Sequence, residues 1–125
     1  MRLVKFDSEN TANELALMSE QEIDELAFGA VEVDATGTIL RYNAAEAEIS
    51  GRNVSDMIGR NFFSDVAPCT QGPIFEGKFK DGVAAKKLDV QFTYVFDYKM
   101  MSTQVRVRMQ NASTAGSYWI FVKRV

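Results

Sequence analysis

The sequence predicts an α+β domain: a central five-stranded antiparallel sheet with short helices packed on one face and an N-terminal helical cap. Three observations predict it. Period-two alternation marks two segments between residues 88 and 110, and a third strand-like stretch closes the chain. Two short apolar runs flank the turn sequence "DATGT" at residues 34–38. Helix-capping signals recur ahead of short apolar-periodic stretches before and after that hairpin. An antiparallel sheet carrying helices on one face is a two-layer arrangement. The length of 125 residues suits one domain, divided into a cap over residues 1–25 and a core over residues 26–125.

In chain order, "TANE" (11–14) and "SEQE" (19–22) have capping-box spacing ahead of Leu15, Leu17, Met18 and Ile23. They predict two helices too short to stand without docking. Ala30, Val31 and Val33 form one strand of a hairpin and residues 39–42 the other, with Gly37 suited to positive φ in the turn. In "NAAEAEISG", Asn43 caps a short helix, Glu46 takes its third position and Gly51 stops it. "NVSDMIG" is a second short helix, capped by Asn53 and ended by Gly59. "FEGKFKDGVAAKK" is the longest, with Phe75, Phe79 and Val83 on one face. Three strands follow: "LDVQFTYVFDY", "QVRVRMQ" and "SYWIFVKRV". In the second, Val105, Val107 and Met109 alternate with the polar Arg106 and Arg108. The order αα-ββ-ααα-βββ is that of PAS domains.

Composition narrows the function. The chain is 46% apolar and 25% charged with a net charge of −3, which predicts a globular fold and no nucleic-acid footprint. No apolar run is long enough to span a bilayer, and "MRLVKFDSEN" turns polar too early for a signal peptide. One cysteine and no histidine predict a cytoplasmic protein with neither an internal disulfide nor a Cys–His or Ser–His nucleophile pair. The usual zinc and haem ligands are missing too.

One set of residues points to chemistry. Tyr42, Glu46 and Ser50 are spaced by four, and Arg52 follows the helix stop, so a phenol, a carboxyl, a hydroxyl and a guanidinium can converge. Taken singly each has a plainer reading. Glu46 is a capping-box partner of the Asn43 backbone. Tyr42 is a core tyrosine, Arg52 a surface charge, and Cys69 a small buried residue. Tyr94, Phe96 and Tyr98 form a core stripe.

The chain resembles the photoactive yellow protein family of bacterial blue-light receptors along essentially its whole length. The carrying stretches are "LAFGA" (26–30), "YNAAE" (42–46), "GRN" (51–53), "NFFSDVAPCT" (61–70), "GKF" (77–79), "FDYKM" (96–100) and "SYWIFVKRV" (117–125). The resemblance implies a PAS fold and p-coumaric acid bound as a thioester on Cys69. It implies a buried phenolate held by Tyr42 and a protonated Glu46, with Ser50 bonding the tyrosine and Arg52 covering that side of the pocket. Phe62 and Val66 would line the pocket, Ala67 and Thr70 would also contact the cofactor, and Phe96, Tyr98 and Met100 would form the lid. Ser50 stands where the best-known form has threonine, Val31 where it has isoleucine, and Met101, Ser102 and Thr103 where a proline is familiar.

Those residue types suit that chemistry. A phenolate in an apolar pocket needs several donors, and a neutral carboxylic acid is a strong one. Burial and the adjacent anion keep Glu46 protonated. When Glu46 gives up its proton, a carboxylate is stranded in a low-dielectric site, and the cap is the least costly part to release. The expected output is a monomeric photoreceptor, not an enzyme, that signals to an unidentified protein partner, with no nucleic acid and no membrane. The rivals are a chromophore-free PAS interaction or dimerisation module and an enzyme using Cys69 as nucleophile.

Overall fold

The Asp34 side chain organises the first hairpin. Its Oδ1 accepts from the Thr36 and Thr38 backbone N–H groups at 2.9 and 3.0 Å and from the Thr36 hydroxyl at 2.7 Å. Gly37 completes the turn at φ 92°, as its sequence position predicts. The flanking strands are β1 (Gly29–Asp34) and β2 (Ile39–Tyr42), antiparallel, with a bulge between Glu32 and Val33. The computed structural model describes residue 6 and residues 11–51, 53–97, 102–112 and 116–124, the side chains of Asn13 and Ser50 excepted.

The remaining strands are β3 (Asp89–Phe96), β4 (Thr103–Asn111) and β5 (Ser117–Arg124). The sheet order is β2-β1-β5-β4-β3, antiparallel throughout. This is the five-stranded sheet expected from the alternation. Among the described residues five α-helices surround it: α1 (Thr11–Ala16), α2 (Glu20–Asp24), α3 (Ala44–Ser50), α4 (Val54–Met57) and α5 (Lys78–Ala84). Ser19 caps α2 with a complete capping box, Asn43 caps α3 and Asn53 caps α4.

Four expectations change. Thr11 is the first residue of α1 rather than its cap, and its hydroxyl accepts from Arg108 at 3.2 Å. "FEGKFKDGVAAKK" is not one helix: a π-helical turn over Pro73–Gly77, opened by Pro73, runs into α5, which ends at Ala84. The domain has three layers, not two. Val31, Val33, Val105, Val107, Met109, Ile120 and Val122 face α3 to α5 in one apolar cluster. The alternate residues Ala30, Trp119 and Phe121 pack instead with Phe6, Leu15, Met18, Ile23, Leu26 and Phe28 of the N-terminal segment. Covering both faces makes β5 almost continuously buried, a pattern of two-sided sheets. Leu17, grouped above with the docking residues, is 74% exposed; Arg108, one of the polar alternates of β4, is buried at 6%.

Candidate functional site

Asn43 is the hub of the site. It follows β2 and caps α3, and only 2% of it is exposed. Its Oδ1 accepts from the backbone N–H of Glu46 at 3.0 Å and of Ala30 at 2.9 Å. Its Nδ2 donates to the carbonyls of Ile23 and Phe28, both at 3.0 Å. One amide therefore uses both donors and both lone pairs to join α2, the entry to β1 and the start of α3. The Asn43 backbone N–H donates to the Ala30 carbonyl at 3.1 Å. That corrects the plainer reading of Glu46, since the N–H a capping box would use is engaged in the hairpin.

Glu46 faces inward from the first turn of α3, with 1% exposed. Burial pushes its carboxyl up from 4.5 to about 8, so it is predominantly neutral at pH 7 and able to donate. Gly29 makes the room. A Cβ there would overlap Glu46 Oε2 and come within 3.1 Å of Glu46 Cβ, so the glycine of "LAFGA" is a steric requirement of the carboxyl. Tyr42, at the end of β2, is 3% exposed and belongs to the inner apolar cluster.

The cysteine loop is built from the other side. Asn61 accepts from the Phe63 and Ser64 backbone N–H groups at 3.0 and 3.1 Å and donates from Nδ2 to the Thr36 carbonyl at 2.8 Å. It thereby ties a π-helical turn, Phe62–Val66, to the hairpin. A 3-10 turn, Pro68–Thr70, then presents Cys69, a free thiol of intermediate exposure packed on the inner cluster. The Thr70 hydroxyl donates to the Ala67 carbonyl at 2.6 Å and Tyr94 Oη donates to the Cys69 carbonyl at 2.5 Å. Thr70 therefore braces the loop internally, and Tyr94 anchors it to β3. Burial, then the Cys69 and Asp97 charges, raise the Tyr94 phenol above its usual range, which keeps it a donor.

Of the predicted residues, Tyr42, Phe62, Val66, Ala67 and Phe96 share the inner cluster with Cys69 against it, and α3 brings Glu46 to the same side through Ile49 and Ala47. Arg52, Tyr98 and Met100 lie outside the described residues, as does the side chain of Ser50. Sequence reasoning missed Asn43 as a hub, Gly29 as clearance, and Phe75 and Tyr94 as walls. Phe75 is fully buried, with ring centroids 5.2 to 6.2 Å from Phe62, Phe63, Phe92, Tyr94 and Phe96. Its place after Pro73, one turn from Phe79, was a signal of burial but not of those partners. Among the described residues no group of three or more His, Cys, Asp and Glu side chains is placed to hold a metal ion. The donor set, a neutral acid and a phenol beside apolar walls, with a thiol for attachment, fits an acyl-linked aromatic anion.

The chain is similar to several known proteins. The PAS family model, described as the PAS fold, matches residues 17–124. The chain is 54% identical to the photoactive yellow protein of Rhodothalassium salexigens and 53% identical to that of Halochromatium salexigens, covering all of both chains in each case. Among solved structures it is similar to the photoactive yellow protein domain of the sensor histidine kinase Ppr from Rhodospirillum centenum. That match has a TM-score of 0.87 and 47% identity, over 90% of this chain and 99% of that one. A PAS domain of an HTR-like protein from Haloarcula marismortui, at 15% identity and a TM-score of 0.65, shares the fold alone.

Proposed function

Because the chain belongs to the photoactive yellow protein family, we propose that it is a blue-light photoreceptor carrying p-coumaric acid as a thioester on Cys69. The observation that carries this reading is Glu46: a wholly buried carboxyl, neutral at pH 7, on the side of the fold where Tyr42 and Cys69 meet the inner cluster. When bound, the p-coumaroyl group supplies an absorbing phenol and a double bond that light turns from trans to cis.

The chain's own residues do the rest. Cys69 Sγ would take the acyl group of an activated p-coumarate, its proton passing to the departing activating group, and would fix the ligand's direction from a braced loop. Tyr42 and the protonated Glu46 would donate to the phenolate oxygen, with Ser50 and Arg52 in support. Phe62, Val66, Ala67, Phe96, Tyr98 and Met100 would exclude water, which strengthens each of those bonds. Glu46 would then pass its proton to that phenolate oxygen. A lone carboxylate there costs several kcal/mol, a large share of the ~5–15 kcal/mol that holds a domain together. Asn43 carries the consequence outward, because the side chain that holds the Glu46 backbone also holds the Ile23 carbonyl at the end of α2. Residues 1–25 are the cap that loosens, and residues 26–125 the sensor core. The readout is an ordering change received by a signalling partner in the cytoplasm, from a monomer and without turnover.

The test is attachment. Incubated with activated p-coumarate, the protein should gain one p-coumaroyl mass, turn yellow and bleach in blue light. The Cys69→Ala variant should stay colourless. A yellow, bleachable Cys69→Ala protein, or a parent that accepts no acyl group, would overturn the reading.

A further inference from the structure

We propose that Arg108 is the positioning residue of the N-terminal cap, a forked latch that fixes where α1 sits on the sheet. Its place in signalling rests on the cap being the output, as proposed above; its place in docking does not.

Arg108 lies in β4, opposite Phe121 of β5 and Gln91 of β3. Its neighbours Val107 and Met109 face the inner cluster, so Arg108 projects from the outer face, where an arginine ordinarily reaches water. Here the N-terminal segment covers it. Nη1 donates to the Phe6 carbonyl at 3.1 Å and the Thr11 hydroxyl at 3.2 Å, and Nη2 lies 3.6 Å from Asp89 Oδ1. Two residues along the same face, Gln110 Oε1 accepts from the Ala12 N–H at 3.0 Å. The apolar contacts of Leu15, Met18 and Phe28 with Trp119 and Phe121 supply attraction, but attraction of that kind has no register. A guanidinium does. Covering it is costly unless acceptors arrive at fixed positions, and the two cap acceptors among the described residues are neutral backbone or hydroxyl oxygens available in one placement only. Asp89, with 56% of its side chain exposed, makes the third contact at the rim, where dissolved salt reaches it.

The experiment is amide exchange of the full chain in the dark. Peptides covering residues 11–16 report the cap; peptides covering 29–34 and 117–124 report the sheet. In Arg108→Met, exchange in 11–16 should rise about tenfold or more while both sheet peptides keep their rates. Arg108→Lys, which keeps charge without the planar fork, should fall between parent and Met. Raising salt from about 0.05 M to about 1 M should speed 11–16 exchange in the parent and leave Arg108→Met flat, because only the parent has an ion pair to screen. Thr11→Val removes one acceptor without touching the sheet, and should raise the same rate by a smaller factor even if Arg108→Met does not fold. Unchanged or slower exchange of 11–16 in Arg108→Met, with no salt effect in the parent, would overturn the latch. So would an unchanged Thr11→Val if that is the only variant that folds. Blue light is applied separately. A parent whose 11–16 exchange ignores light removes the cap as output and leaves the latch standing.

Discussion

The two faces of the sheet are covered in different ways. The inner face is closed by a web of rings from three separated stretches, residues 62–66, 73–79 and 92–96, with Phe75 touching five others. The outer face is closed by one N-terminal segment, whose helices are six and five residues long. Helices that short have no stability of their own and exist only while docked. One cover is therefore built into the fold, and the other is held by docking alone. A light sensor needs both: a pocket that keeps its shape, and a surface whose order changes. Asn43 is the joint between them, bonded to Glu46 on one side and to Ile23 on the other.

The comparison breaks most visibly if the docked cover is removed. Deleting residues 1–25 uncovers Trp119 and Phe121, which are 3% and 0% exposed with the cap in place. Uncovering two such rings costs roughly 3–6 kcal/mol. Trp119 is the chain's one tryptophan, so its emission should move to longer wavelength in chromophore-free protein. The reconstituted variant should remain yellow and recover more slowly in the dark, since the docked cap favours the closed state. A deletion variant that cannot hold its colour would show that the two covers are not independent.

Glu46→Gln tests the inner face by pH. The carboxyl has a folded value of about 8 against 4.5 for the ordinary group. A raised acid contributes its stability in full below 4.5 and loses it as pH rises through 8, because the unfolded chain releases the proton first. Between pH 5 and pH 8 the chromophore-free parent should lose roughly 3–4 kcal/mol that Glu46→Gln does not lose. Urea midpoints at both pH values measure the difference. Parallel pH dependence in the two proteins would mean that Glu46 is not held neutral by burial. In the holoprotein the same change leaves a donor but no transferable proton, so absorption should move to longer wavelength and the light-driven loosening of 11–24 should shrink.

Gly29→Ala is a smaller blow to the same face. The added methyl meets the Glu46 side chain and its Cα at 3.2 Å, in a strand that cannot easily yield. An overpacked site of this kind costs about 1–3 kcal/mol. The absorption should shift while Trp119 emission stays put. The reverse pattern, steady colour and altered emission, would place the strain on the outer face instead.

Much of this was legible because the signals were local. Asn43, Ser19 and Asn53 are caps whose side chains bond residues two or three along, and strand alternation names the inner face of β4 from Val105, Val107 and Met109. The PAS order was readable for the same reason, whereas the reading of the cysteine stretch as a chromophore site rests on its resemblance to the family. What alternation cannot say is what lies over the other face. Arg108 alternates as a solvent-facing residue does, and only the N-terminal segment, about a hundred residues away in the chain, buries it. Leu17 was misplaced conversely: it falls just past the end of the six-residue α1, which is too short to carry a periodicity that would orient it. Gly29 and Tyr94 matter through contacts 17 and 25 residues away in sequence, which no motif spacing encodes.

The smallest expected effect examines the joint. Ser19 Oγ accepts from the Glu22 N–H at 3.2 Å, and Glu22 Oε1 accepts from the Ser19 N–H at 3.1 Å, both at the surface. Ser19→Ala removes one half of that box and should cost about 1 kcal/mol. The cost falls on α2, whose Ile23 carbonyl is held by Asn43, and not on α1, which Arg108 and Gln110 hold independently. Exchange of residues 20–25 should therefore rise by a few fold while residues 11–16 keep their rate. Colour should be unchanged, because Asn43 retains its bonds to Ala30 and Glu46. If Ser19→Ala speeds exchange in 11–16 equally, the two helices undock as one unit. If it alters the absorption, the joint transmits strain inward as readily as outward.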